Sequence, residues 1–295
     1  MSEALRVTLT FAALAAELIA LFLLVSMAVV LLNRKLGEKR LQSWLAGGTF
    51  MAPLKGIALG ALTPFCSCST LPMLLGMLKA GAPFSAAAAF LISSPLLDPI
   101  ILGVVALLFG WKIMVGYAAV TFVTTLLLAL LWDRLGLAQD VKRVRVAGSG
   151  EHEEPWRGFK PELRPAWEQT KSGMKPLLLP LFIGLSVGAL VYGFVPESFL
   201  LDVAGPGSFW AVPIAAVVGI PLYVRTESAL PVGLALTSAG MGIGPVFALI
   251  IGGAGASIPE VSMLTAVFKP RLVATFVGSI LAVAITGGFL IPLFA

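Results

Sequence analysis

Long apolar runs punctuated by single Pro, Gly and Ser residues dominate the chain. One run of about 26 residues precedes Arg34 and Lys35, and others cover roughly 49–65, 69–80, 84–109, 112–132, 175–195, 207–222, 229–240, 243–268 and 271–292. A helix needs about 20 apolar residues to cross the hydrocarbon core, so most of these runs predict spans. The runs at 69–80 and 229–240 are too short to cross alone and predict half-helices or re-entrant arms. The first run is longer than the apolar part of a cleavable signal and predicts a retained span. The pattern as a whole predicts an all-α polytopic membrane protein. It divides into two inverted repeats of about five helical segments each, with interrupted helices or hairpins at the midplane.

Charge marks where the halves meet. Residues 133–175 carry nine basic and seven acidic side chains of the chain's 35 charges, together with three prolines and no apolar run. That composition predicts a solvated linker, with 1–132 as the first membrane repeat and 176–295 as the second. Arg34, Lys35, Lys39 and Arg40 follow the first span, and Lys269 and Arg271 precede the last. Positively charged loops stay in the cytoplasm, which places all three regions, linker included, on the inner side of the cell membrane. Five crossings per half satisfy that rule and turn the second half over relative to the first.

An internal repeat supports the division. Sliding the chain along itself until Leu71 meets Leu230 lays LPMLLGMLKAG (Leu71–Gly81) on LPVGLALTSAG (Leu230–Gly240), and FLISSPLLDP (Phe90–Pro99) then faces LIIGGAGASIP (Leu249–Pro259) with one residue inserted. Pro64, Pro72, Pro95, Pro221, Pro231 and Pro259 punctuate these segments and predict helix breaks. Freed backbone groups survive in hydrocarbon only beside other protein or a cavity, so matching breaks in two inverted halves point to a secondary transporter with a midplane site. Close packing through small residues, as at Gly56 and Gly60, is the plainer alternative.

Composition narrows the function classes. Hydrophobic residues make up 58 % of the chain, charged residues 12 %, and mean hydropathy is +0.99. Soluble enzymes and disulfide-stapled secreted domains do not have this balance. The net charge of +5 is that of a membrane-facing loop rather than of a nucleic-acid binder. There is no P-loop, H-E-x-x-H or G-x-S-x-G pattern, so the protein is expected to be no enzyme, to use no cofactor, and to draw energy from a gradient or another subunit. The single histidine, His152, lies in the linker.

The two cysteines fall together as Cys66 and Cys68 in Pro64-Phe-Cys-Ser-Cys-Ser-Thr-Leu-Pro72. Soft sulfur ligands select thiophilic centres such as Cu(I), and two cysteines on non-helical backbone can converge on one atom. A regular helix would splay residues two apart by about 200°. Trivalent arsenic with one carbon substituent also offers two exchangeable positions. Ser67 and Ser69 add hydroxyls, which makes Cys66, Cys68, Ser67 and Ser69 the candidate substrate site. Two small buried hydrophobes are the plainer reading. A closed zinc site lacks the further Cys or His ligands it needs, and the metal content stays open.

Ionised side chains in a membrane segment mark function by default, which singles out Asp98, Arg225, Glu227 and Glu260 as proton-coupling candidates. Arg225 and Glu227 also fit a mutually neutralising pair. Asp98 before Pro99 and Glu260 after Pro259 occupy nearly equivalent repeat positions and equally fit helix N-terminal caps. Glu17 and Lys55 read as packing or snorkelling residues.

The block TPFCSCSTLPMLLGMLKAGAPFSAAAAFLISSPLLDP, ending at Pro99, resembles the predicted permease family that includes the ArsP-type organoarsenical efflux permeases. CSCS-x-x-P is its most specific mark, and GIPLYVRTESALPVGLALTSAGMGIG with GAGASIPE resembles the family's second half. The resemblance implies an inner-membrane permease that exports trivalent organoarsenicals, with the family's paired cysteines falling on Cys66 and Cys68. Efflux of a soft metal ion such as Cu(I), or a membrane thiol oxidoreductase cycling Cys66 and Cys68 between dithiol and disulfide, are the alternatives. The expected partners are the lipid bilayer and a small thiophilic substrate, not nucleic acid, and a homo-oligomer is compatible with the pattern.

Overall fold

The computed structural model describes residues 47–62, 67–79, 81–142, 161–168, 210–222, 236–238 and 240–294, with isolated positions between and before these stretches. Among the described residues the first half supplies α1 (Met51–Leu62), α2 (Ser67–Lys79), α3 (Phe84–Ser93), α4 (Pro99–Phe109) and α5 (Trp111–Arg134), followed by a 3-10 turn, Leu137–Asp140. The second half supplies α6 (Ala211–Leu222), α7 (Ile243–Gly255), α8 (Ile258–Val267) and α9 (Pro270–Leu290), which ends in a 3-10 turn, Ile291–Phe294. The described structure is thus helical, with one antiparallel bridge between Val141 and Phe268. Three stretches, Trp111–Arg134, Ile243–Val267 and Pro270–Phe294, are long and apolar enough to cross a membrane.

The spacing of elements repeats. Helices α3, α4 and α5 begin at Phe84, Pro99 and Trp111, while α7, α8 and α9 begin at Ile243, Ile258 and Pro270, so one constant offset relates all three pairs. It is the offset that carries Leu71 onto Leu230. The turn that enters each set is also the same. Gly81 N–H donates to Leu78 O and Ala82 N–H to Met77 O, and at the matching positions Gly240 N–H donates to Thr237 O and Met241 N–H to Leu236 O. Both glycines have positive φ, 74° and 103°, in a helix-ending turn that a side chain would strain.

Each half buries one inner helix. Every residue of α3 from Ser85 to Ser93 is buried, and α7 is buried along most of its length. Their sequences, FSAAAAFLIS and IGPVFALIIGGAG, are rich in small residues that let neighbouring backbones approach closely. Helix α1 lies on α3, and α6 lies on α7. The contacts are nearly backbone to backbone. A Cβ at Gly56 would collide with Ala86 O, one at Gly219 with Leu249 O, and one at Gly252 with Ala216 O. Helices α5 and α9 pack against these inner helices and against each other, and α5 turns Val115, Phe122, Val123, Leu127 and Leu131 outward as a lipid-compatible face.

Helices α5 and α9 run antiparallel. Near the end of α5, Trp132 Nε1 donates to Ser279 Oγ at 2.9 Å, in the first half of α9. Near its start, Gly116 packs against Phe294, just beyond α9. The chain leaving α5 is then fastened to the α8–α9 connection. Lys142 N–H donates to Val267 O and Lys269 N–H to Asp140 O, both at 2.8 Å. The Asp140 carboxylate stands 3.5 Å from Lys269 Nζ and 3.7 Å from Arg271 Nη1. Residues 137–142 and 267–271 therefore share one face of the molecule.

Two expectations change at this level. Residues 133–175 are not uniformly solvated: α5 runs on to Arg134, Leu137 and Asp140 are buried against the second half, and the helical residues 161–168 bury Glu162 and Ala166. Sparse apolar positions among charges are enough to dock a segment onto a neighbour, although they form no apolar run. Nor does Pro72 interrupt its helix, since α2 continues through it, while Pro221 is the penultimate residue of α6 and the residues that follow Leu222 lie outside the described ones. A proline within a helix removes only the N–H that would reach the carbonyl four residues back, here Cys68 O and Val217 O.

Candidate functional site

Helix α2 opens at Ser67, within the block that carries the cysteines. Ser67, Cys68 and Ser69 form its first turn, so Cys68 stands on helical backbone rather than on the unwound stretch expected from sequence. The reason is local: the first four N–H groups of a helix have no intrahelical partner, so serines and cysteines there sacrifice no ladder bond. Pro72 nevertheless withholds the donor that Cys68 O would receive, leaving that carbonyl outside the helical ladder. Cys66 and Pro64 lie outside the described residues, as do Arg225, Glu227 and Pro231.

A true break lies between α3 and α4. After Ser93 the chain makes a tight turn through Ser94, Pro95, Leu96 and Leu97, all buried, before Asp98 starts α4. Tyr117 Oη, buried on α5, donates to Leu96 O at 2.7 Å and holds this turn against the long helix. Tyr117→Phe leaves Leu96 O without that donor and is expected to destabilise the fold by about 1–3 kcal/mol, read as a lowered Tm in detergent. An unchanged Tm would show that the bond contributes nothing.

Asp98 is the N-cap of α4. Its backbone is extended (φ −55°, ψ 133°), its carboxylate accepts from Ile100 N–H at 2.8 Å, and Pro99 follows as the first helical residue. In the second half Ser257 occupies the corresponding N-cap, with φ −62° and ψ 150°. Glu260 sits further along, in the first turn of α8, and only 1 % of it is exposed. The near equivalence of Asp98 and Glu260 read from sequence is thereby corrected. Aligning Pro99 with Pro259 required an inserted residue, whereas the helix starts align without one, pairing Pro99 with Ile258.

The packing brings two of these elements together. Helix α8, which carries Glu260, lies against α2, whose first turn carries Cys68. Asp98 stands at the half-buried start of α4. Among the described residues no three His, Cys, Asp or Glu side chains cluster as a metal site.

Sequence reasoning passed over several polar side chains inside the bundle. Tyr117, Thr121 and Thr125 share the buried face of α5, and Trp132 reaches Ser279 across the two halves. The regular recurrence of Tyr117, Thr121 and Thr125 at every fourth position of an otherwise apolar helix was the available signal.

The chain matches relatives along most of its length. A UPF0718 protein of Methanocaldococcus jannaschii, MJ0584, is 23 % identical over 78 % of this chain and 79 % of its own. The UPF0718 protein YraQ of Escherichia coli is 27 % identical over 87 % of this chain and 70 % of its own. The UPF0718 protein YcgR of Bacillus subtilis is 24 % identical over 82 % of each. No solved structure matches. The match to the family described as predicted permease, ArsP_1, runs from residue 3 to residue 293, and with three helical stretches among the described residues long and apolar enough to cross a membrane, the chain belongs to that family as a multi-pass membrane protein.

Proposed function

We propose that this permease is a secondary transporter that exports a small thiophilic substrate, such as a trivalent organoarsenical, from the cytoplasm. Cys66 and Cys68 supply the sulfur ligands, and Ser67 and Ser69 line the same site. The observation that carries this reading is the packing of α8 on α2, which sets a buried carboxylate on the helix next to the one whose first turn holds Cys68. A permease of this kind needs a ligand for its cargo and a group whose charge changes during the cycle, and these two helices hold one candidate for each.

The two halves work as inverted repeats. The common offset between helix starts and the antiparallel run of α5 and α9, which that offset makes equivalent, support this reading. Alternating access is then a rocking of one half against the other about the α5–α9 contact. The face shared by 137–142 and 267–271 is cytoplasmic, in agreement with Lys142, Lys269 and Arg271 there.

Glu260 is the coupling carboxylate, and Asp98 serves mainly as a cap. Glu260→Gln is expected to abolish proton-driven uptake of methylarsenite into everted vesicles while leaving methylarsenite binding measurable by thermal shift. Asp98→Asn is expected to lower stability by about 1 kcal/mol through a weaker cap and to keep transport coupled. Wild-type proton dependence in Glu260→Gln vesicles would remove Glu260 from the mechanism.

A further inference from the structure

The end of α3 gathers oxygen atoms for which the surrounding chain supplies no hydrogen. In a continuing helix Leu91 O would accept from residue 95, but Pro95 has no N–H. Ile92 O would accept from residue 96, but Leu96 N–H donates to Ser93 O at 3.0 Å, and Leu97 N–H joins it at 2.8 Å. Three hydroxyls add to these carbonyls. Ser94 Oγ, Thr121 Oγ1 and Thr125 Oγ1 are buried without a hydrogen-bond partner among the described residues, and each of the three residues is 0 % exposed.

The packing sets the two helices that carry or flank these groups side by side. Tyr117 Oη on Leu96 O, and the Phe84 and Trp132 rings stacked at 6.3 Å, fix α3 antiparallel to α5. Thr121 follows Tyr117 by one turn on the same buried face and so stands beside the last turn of α3. Gly60 of α1 closes another side, where a Cβ would collide with Ser93 Oγ and come within 3.1 Å of Ser94 N.

We propose that this is a binding site for a monovalent alkali cation, held by the Ser94 and Thr121 hydroxyls and the Leu91 and Ile92 carbonyls, with Thr125 one turn away. Carbonyls can only accept, and a cation satisfies acceptors without bringing lone pairs of its own. The C-terminal end of α3 adds the negative end of its dipole, and Asp98 places a carboxylate shortly beyond Ser94 in the same connection. Neutral hard oxygens suit an alkali ion. Calcium and magnesium are held through carboxylates, and soft metals through sulfur or nitrogen. The site belongs to the first half alone, because Gly253, Ile280 and Ala284 stand in the second half where Ser94, Thr121 and Thr125 stand in the first. It does not depend on the identity of the exported substrate.

The test is thermal unfolding of the purified full chain in detergent at constant ionic strength, in NaCl, KCl, LiCl or choline chloride, with 22Na+ binding measured alongside. At least one alkali chloride is expected to raise Tm by about 4 °C or more over choline chloride. Ser94→Ala and Thr121→Val should each remove most of that rise, while Thr121→Ser, which keeps the hydroxyl, should retain it. Equal Tm values in all four salts, with no saturable 22Na+ binding by the wild-type protein, would overturn the proposal and assign these oxygens to water. A salt-specific rise that persists in both folded hydroxyl-deletion variants would overturn it as well. Should those variants fail to fold, the wild-type comparison and Thr121→Ser still decide the matter.

Discussion

Replacing either cysteine with serine is expected to return an arsenic-sensitive host to the methylarsenite sensitivity it shows without the permease, a loss of resistance of about tenfold or more. Serine keeps the size and a hydroxyl but removes the soft donor, so the change isolates sulfur chemistry from packing. Cys68 is placed in the first turn of α2, where serine is well tolerated at a helix start, and Ser67 and Ser69 flank it there. The expected outcome is therefore a protein present in the membrane at wild-type level that no longer confers resistance. The measurement pairs growth in graded methylarsenite with quantification of the protein in isolated membranes. Full resistance in both single variants would remove the cysteines from the site.

The largest effects on stability are expected at the glycines between helices. Gly219→Val and Gly252→Val set a branched side chain against Leu249 O and Ala216 O respectively, and Gly56→Val sets one against Ala86 O. The obstructing atoms are backbone, so a helix must move as a whole to make room. Each change is expected to destabilise by on the order of 3 kcal/mol, with loss of the folded fraction in detergent. Gly103 and Gly278 form the control, because a Cβ at either meets nothing within 4 Å. Alanine there is expected to be neutral or to stabilise by up to about 1 kcal/mol through its better helix propensity. Size-exclusion profiles and thermal melts of the set read both directions. Equal melts at Gly219 and Gly278 would mean that the tight contact between α6 and α7 is not made.

The helical character and the layout of the described helices were legible in part because both signals are periodic and local. Apolar runs marked where the described helices lie, although 84–109 and 243–268 each hold two helices, and LPMLLGMLKAG against LPVGLALTSAG carried the offset that helix starts and turn bonds repeat. The break near Pro95 was legible too, since Ser-Ser-Pro ahead of Asp-Pro offers both a missing N–H and a cap. Proline by itself was a poorer guide. Pro72 stands inside a helix, because a single lost hydrogen bond does not end a helix that neighbours hold in place. The docking of residues 137–142 on 267–271 escaped the sequence because two hydrophobic side chains and one carboxylate leave no period to read.

The candidate site stands out in the sequence by its residue types and not by its geometry. CSCS is conspicuous in a chain with no other cysteine, but the position of Ser67, Cys68 and Ser69 in the first turn of α2 depends on which N–H groups need partners, a property of the folded backbone. Glu260 and Asp98 drew notice equally as charges beside prolines. Only the three-dimensional register separates a carboxylate that caps α4 from one buried in the first turn of α8. Thr121 and Thr125 gave little warning, since threonine is common in membrane helices and usually bonds back to its own helix, as Thr124 does to Val120 O at 2.7 Å.

Uptake of methylarsenite by everted membrane vesicles tests gradient-driven export most directly. Vesicles carrying the permease are predicted to accumulate the arsenical against its concentration when an inward-acid pH gradient is imposed, and to release it when a protonophore collapses that gradient. Vesicles that hold the folded protein yet accumulate no more arsenical than vesicles without it, whatever gradient is imposed, would contradict the account.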